Sequence, residues 1–246
     1  MNTRLFFDIE TRANPAALAQ LPEPEAPANY KDAAKIAAYI AEKKAQQAAQ
    51  AALDPDTGYV SAIAYQAGLN GEPQVRILVP VTSDVTGPVP DNVVLYVYSD
   101  AAERDHMERL LLEHFWAAFA RANGVCCGYN LLSFDLVYLL RRSMALQTPP
   151  PDVLPLLAKY RTDPVRDLYA LLYQWGSGKG LKTVAQLYGL PNELPDLTGA
   201  DVGGMDWRTE AAYAVNDLQL LIALYRRMSG FYWPIGVDQV EPESRR

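Results

Sequence analysis

The chain has 246 residues, 50% of them hydrophobic and 21% charged, with a net charge of −7, a composition that supports one large α/β domain or two small ones with a sizeable core. The acidic balance speaks against a protein that coats duplex DNA with a broad basic surface, but not against an enzyme that grips phosphates through divalent ions. No apolar run approaches 18 residues, and the N-terminus carries no basic region followed by an apolar stretch and a cleavage site, so the expectation is an intracellular protein without a membrane span.

In chain order, RLFFDIET (residues 4–11) reads as a strand, and residues 12–29, with Pro15, Pro22, Pro24 and Pro27, as a connecting excursion. Residues 30–53 are alanine-rich and helix-favouring, and their lysines (Lys31, Lys35, Lys43, Lys44) mark a solvated face or a basic arm that guides a strand. Strands follow in YVSAIAYQAG (59–68) and PQVRILVPV (73–81), joined at Asn70-Gly71, a hairpin signal, and in NVVLYVYS (92–99). Residues 100–124 have helical apolar spacing between Asp100 and Gly124. VCCGYN (125–130) reads as a buried strand and FDLVYLLRRSMAL (134–146) as the helix after it. Cys126 and Cys127 are adjacent on that strand and point to opposite faces, which makes a mutual disulfide unfavourable. A Pro-rich loop at 149–155 is expected next, then short helices at 165–175 and 181–188, an irregular stretch at 189–207 and a long helix at 209–228 before a tail. The pattern describes a mixed sheet flanked by helices in a single domain.

Three acidic stations carry the chemistry. Asp8 and Glu10 lie two apart on a strand, hence side by side on one face, where a bound cation or a solvated strand end must relieve their repulsion. Asp135 sits where the strand ending at Tyr129-Asn130 turns into a helix, and taken alone it is a capping residue. Tyr213 and Asp217, four apart on the last helix, share a face that is otherwise apolar at Leu220, Leu221 and Leu224. Together these carboxylates are the parts of a two-metal phosphoryl-transfer site, whose hard oxygen ligands select Mg²⁺ or Mn²⁺. The only histidines, His106 and His114, lie on the helix over 100–124, which makes zinc H-E-x-x-H chemistry and a Ser-His-Asp triad poor fits. WGSGKGLKT (175–183) has the glycines and lysines of a phosphate loop but not its spacing.

FFDIET, the N-x-x-x-F-D of Asn130 to Asp135, and the Y-x-x-x-D of Tyr213 to Asp217 resemble the three motifs of the DEDD 3′–5′ exonucleases, in their order. YNLLSFDLVYLL is similar to the proofreading exonuclease domain of B-family DNA polymerases, and GLKTVAQLYGLP resembles the stretch before that family's last motif. The resemblance implies an RNase H-like domain over residues 1–230, with a helical insertion at 12–57 and a C-terminal tail at 231–246. It implies that Asp8 bridges two divalent ions, that Glu10 and Asp217 complete one shell, and that Asp135 holds the second. Tyr213 would orient the attacking water, which makes this the tyrosine variant; the histidine variant needs His at 212, and Ala stands there. Thr11, Asn130, Phe134, Lys179 and Lys182 are candidates for contact with substrate, and Tyr129, Phe134 and Trp175 offer faces for base stacking. The implied substrate is the 3′ end of single-stranded DNA, with a polymerase or replication partner in view. An exoribonuclease and a catalytically silent nucleic-acid-binding subunit are the alternatives.

Overall fold

Strand β1 (Leu5–Ala13) works on both of its faces. In the computed structural model, which describes residues 3–152, 160–174 and 176–233, its Leu5, Phe7 and Ile9 enter one buried cluster and Phe6 enters another. β1 pairs antiparallel with β2 (Gly58–Ala67) and parallel with β5 (Cys126–Gly128). Next to β2 runs β3 (Gln74–Pro80), antiparallel, and β4 (Val93–Tyr98) lies parallel to β3. At the other edge β6 (Val165–Asp167) is parallel to β5, giving a mixed six-stranded sheet in the order β4-β3-β2-β1-β5-β6.

Helices cover both faces of this sheet. α3 (Ala101–Arg121) and α4 (Asp135–Ala145) bring Leu111, Phe115, Phe119, Leu136 and Leu139 against Phe7, whose ring lies 4.9 Å from Phe115 and 6.5 Å from Phe119. α7 (Trp207–Tyr232) covers the opposite face, with Tyr225 edge-on to Phe6 at 4.9 Å. Each buried aromatic stabilises the fold by roughly 1.5–3 kcal/mol. A one-residue slip of β1 would drive Asp8 and Glu10 into the phenylalanine cluster, so this packing also sets which face carries the acids. Cys126 and Cys127 fall into the two different clusters, as their adjacency on a strand requires, and both are free. Glu108 of α3 and Arg142 of α4 form a buried pair, 2.7 Å between Oε2 and Nη2, and Oε1 also accepts the Val60 amide at 2.9 Å.

Several local expectations need correction. Residues 165–167 are a strand rather than the start of a helix, because three residues against β5 are too few to show a period; α5 (Leu168–Tyr173) begins after them. The excursion holds a short helix, α1 (Pro15–Leu18), since proline at the first helical position loses no hydrogen bond and Asn14 caps it. α2 (Ala33–Gln50) is shorter than 30–53: it starts behind the Asp32 cap, has no buried residue, and lays Tyr39 5.7 Å from the ring of Tyr30. The β2–β3 hairpin forms, but the left-handed residue in its turn is Gly68 (φ 73°), not Asn70 or Gly71. The stretch 189–207 contains a 3-10 segment, Gly199–Gly204, and α7 extends past 209–228 at both ends, its start set by the Asp206 cap. α6 (Leu181–Leu187) matches the expected short helix. Among the described residues no helix is long and apolar enough to cross a membrane. The expected tail lies outside the described residues from 234 onward, and the proline loop from 153.

Candidate metal centre

Beyond Phe6, the face of β1 that meets α7 presents Asp8 and then Glu10, and a register shift between Glu10 and Thr11 ends the regular ladder there. On α7, four residues bring Asp217 one turn beyond Tyr213, and both are buried. Asp8, Glu10 and Asp217, remote in sequence, each offer a carboxylate oxygen within 4.8 Å of the others.

Asp135 is not within that group but stands beside it. β1 pairs with β5 only at Leu5 and Phe6, so the Ile9 amide has no strand partner on that side and donates to Asp135 Oδ1 at 3.3 Å. The turn that delivers Asp135 needs a left-handed residue, supplied by Asn130 at φ 67°. Asp167, which the sequence did not single out, builds that turn. Its carboxylate accepts from the Asn130 amide (2.9 Å), from Leu132 (3.0 Å) and, as the cap of α5, from Tyr169 (3.0 Å) and Ala170 (3.2 Å). Asp167→Ala should therefore lower stability by about 2–4 kcal/mol in urea unfolding, since it strands a cap and buried amides together; a change below about 0.5 kcal/mol would remove Asp167 from this role.

The electrostatics are those of acids without sufficient counter-charge. Burial first, then Asp135 and Asp217, holds the Asp8 carboxyl well above its ordinary range. Glu10 is raised by burial, then by Asp8, Asp217, Glu210 and Asp135. Burial lifts Asp135 to about 7. Asp217 is raised by burial, with Lys182, Asn216 and Tyr213 pulling it back. Burial and the Asp217 and Glu10 charges push the Tyr213 phenol far above its usual value.

Arg12 and Glu210 are further residues at the site that sequence reading passed over. Glu210 is fully buried, accepts Ser61 Oγ at 2.5 Å, and is gripped by Arg12, whose Nη2 also donates to Met205 O at 2.8 Å. The signal was present: Arg12 follows Glu10 by two on β1, and Glu210 precedes Tyr213 by three on α7.

The substrate-contact candidates scatter. Lys182 points into the acids: its Nζ is 3.4 Å from Asp217 Oδ1 and 4.0 Å over the Tyr213 ring, and donates to Leu194 O (3.3 Å) and Leu197 O (2.5 Å). Thr11 is buried and meets the Tyr138 hydroxyl, on the α4 side. Phe134 is half-buried with its ring 5.5 Å from Tyr138. Lys179 is exposed, and its carbonyl accepts the Tyr129 hydroxyl at 2.5 Å. Tyr129 packs edge-on against Tyr169 at 5.5 Å, while Trp175 lies outside the described residues. His106 and His114 are both on α3, where His114 Nδ1 is 2.9 Å from the Tyr96 hydroxyl.

A cluster of carboxylate oxygens with no imidazole or thiolate among its donors fits a hard divalent cation such as Mg²⁺ or Mn²⁺. No family model matches the sequence, and no curated protein does. Among solved structures, the family B DNA polymerase from the hyperthermophilic archaeon Pyrobaculum calidifontis is similar over 93% of this chain, at 16% identity and a TM-score of 0.51. The matched part is 24% of the polymerase chain, so the likeness is one of fold, between nearly all of this chain and about a quarter of that one.

Proposed function

We propose that this chain is a metal-dependent 3′–5′ exonuclease of the tyrosine DEDD kind, with an RNase H-like domain over residues 1–230 and an insertion at 12–57. It hydrolyses nucleotides from the 3′ end of single-stranded DNA. The observation that carries this reading is the meeting of Asp8, Glu10 and Asp217 within 4.8 Å, with Asp135 of α4 beside them, accepting the Ile9 amide of β1. The fold likeness to a family B DNA polymerase agrees with the family that the three sequence motifs resemble.

Asp8, Glu10 and Asp217 would hold one divalent ion, and Asp8 with Asp135 a second. Bound there, such ions supply Lewis acidity towards the phosphodiester and acidify water. Tyr213 contributes differently. Its phenol is held far above neutral pH by burial and by Asp217, so it keeps its proton and orients water by a hydrogen bond instead of acting as a base. Lys182 offsets part of the negative charge at Asp217.

The deciding assay follows 5′-labelled single-stranded DNA, RNA and a mismatched primer-template with Mg²⁺, Mn²⁺ or EDTA. The expected result is stepwise shortening of the DNA from its 3′ end, abolished by EDTA. Preference for RNA would move the substrate assignment, and degradation indifferent to EDTA would end the metal reading. In the same assay Tyr213→Phe should lower kcat about 10–100-fold while Mn²⁺ binding stays as in the wild type; unchanged single-turnover rates would take the tyrosine out of the mechanism.

A further inference from the structure

Asn216 precedes Asp217 on α7 and is only 5% exposed. Successive helix residues point in different directions, yet the Asn216 Nδ2 donates to Asp217 Oδ1 at 3.0 Å. The side chain is held in that pose from outside the helix. Nδ2 also donates to Asn192 Oδ1 at 3.1 Å, and Asn216 Oδ1 accepts the Glu193 amide at 3.0 Å. Asn192 is in turn oriented by accepting the Leu194 amide at 3.1 Å. A buried amide is costly unless its donors and acceptor are used, and here its carbonyl and both demands on its Nδ2 are met by the loop and the acid.

The loop also returns to the same carboxylate by a second route. Leu194 O and Leu197 O hold the Lys182 ammonium, which lies 3.4 Å from Asp217 Oδ1. Two donors, one from α7 and one from α6, thus converge on one oxygen of Asp217, and both are steadied by residues 192–197. Ligand carboxylates are fixed in this way by their own hydrogen-bond partners, and losing such a partner typically weakens metal affinity 10–100-fold.

We propose that Asn216 is a positioning residue: clamped by Asn192 and the Glu193 amide, it holds the Asp217 carboxylate in its ion-ligating pose and couples it to the loop over 192–197. The inference rests on the metal-dependent reading above. The test is Mn²⁺ titration of the full chain by electron paramagnetic resonance, for wild type, Asn216→Ala and Asn192→Ala, beside steady-state kinetics on single-stranded DNA. Asn216→Ala should bind Mn²⁺ about 10-fold more weakly or worse, with kcat reduced and KM for DNA within about twofold. Asn192→Ala, which leaves Asn216 in place but frees it, should show a smaller loss of the same kind, and it carries the test if Asn216→Ala does not fold. Wild-type Mn²⁺ affinity in both variants overturns the inference while leaving the metal reading standing, and so does a loss confined to KM and melting temperature. A wild-type chain that binds no Mn²⁺ overturns both.

Discussion

Asp8→Ala is expected to abolish metal-dependent nucleotide release, by about a thousandfold or more, while the metal-free variant melts several degrees higher than the wild type. The first half follows from position. After burial, the charges that press hardest on the Asp8 carboxyl are those of Asp135 and Asp217, which places it between the other acids, and losing several kcal/mol of charge stabilisation in the transition state is a factor of ten per 1.4 kcal/mol or so. The second half follows from linkage. Asp8, Glu10, Asp135 and Asp217 all have folded-state pKa values raised by burial, so the folded chain binds these protons more tightly than the unfolded one. That stabilising contribution is full below the ordinary carboxylate range and disappears as pH rises through the raised values, which for Asp135 is about 7. The metal-free protein should therefore lose melting temperature between about pH 5 and 8 relative to a variant lacking one of the acids. Mg²⁺ or Mn²⁺ should restore it by binding only the folded state. Calorimetric scans across that range, with EDTA and with Mn²⁺, check this. A destabilised Asp8→Ala protein, or a wild type indifferent to both pH and Mn²⁺, would contradict the account.

Arg12→Met should be the most destabilising change near the site, at about 3–5 kcal/mol. Glu210 has no exposure to water, and among the described residues Arg12 supplies its charged partner. Without the guanidinium a buried carboxylate would stand unpaired beside Glu10, already under pressure from it. The same arginine binds Met205 O and, at 3.4 Å, Gly203 O, so its loss also releases the segment leading into α7. At about 2–4 °C per kcal/mol for a chain of this size, the melting temperature should fall by roughly 10 °C. The double variant Arg12→Met, Glu210→Met should recover most of the loss, because an apolar pair of similar volume avoids the desolvation that the ions incur. A cost below about 1 kcal/mol for the single change would show that the pair is not a clamp between β1 and α7.

The helices over 100–124 and 209–228 and the strands from 59 to 99 were readable because they are long enough for a 3.6- or 2-residue period to repeat several times. β6 and α1 were not, since three or four residues express no period and owe their form to a neighbouring strand or to a cap at Asn14. The carboxylates were legible as residues: Asp8 and Glu10 by strand alternation, Tyr213 and Asp217 by helical spacing. Their meeting is a different kind of fact. No local rule says that α7 lies on the Phe6 face of β1 rather than the Phe7 face, and that choice brings Asp217 to within 4.8 Å of Asp8 and Glu10 while leaving Asp135 to reach the strand from its β5 side.

By itself, the sequence determined which residue types are available and which share a face of their own strand or helix, because those are properties of a few consecutive peptide units. Tertiary structure alone decided that Lys182 faces Asp217 instead of open solvent, that Arg12 finds Glu210 across 198 positions, and that Asp167 spends its oxygens on backbone amides rather than joining the acids. Those outcomes depend on which buried groups compete for the same partners once two faces of a sheet are covered, and that competition exists only in three dimensions.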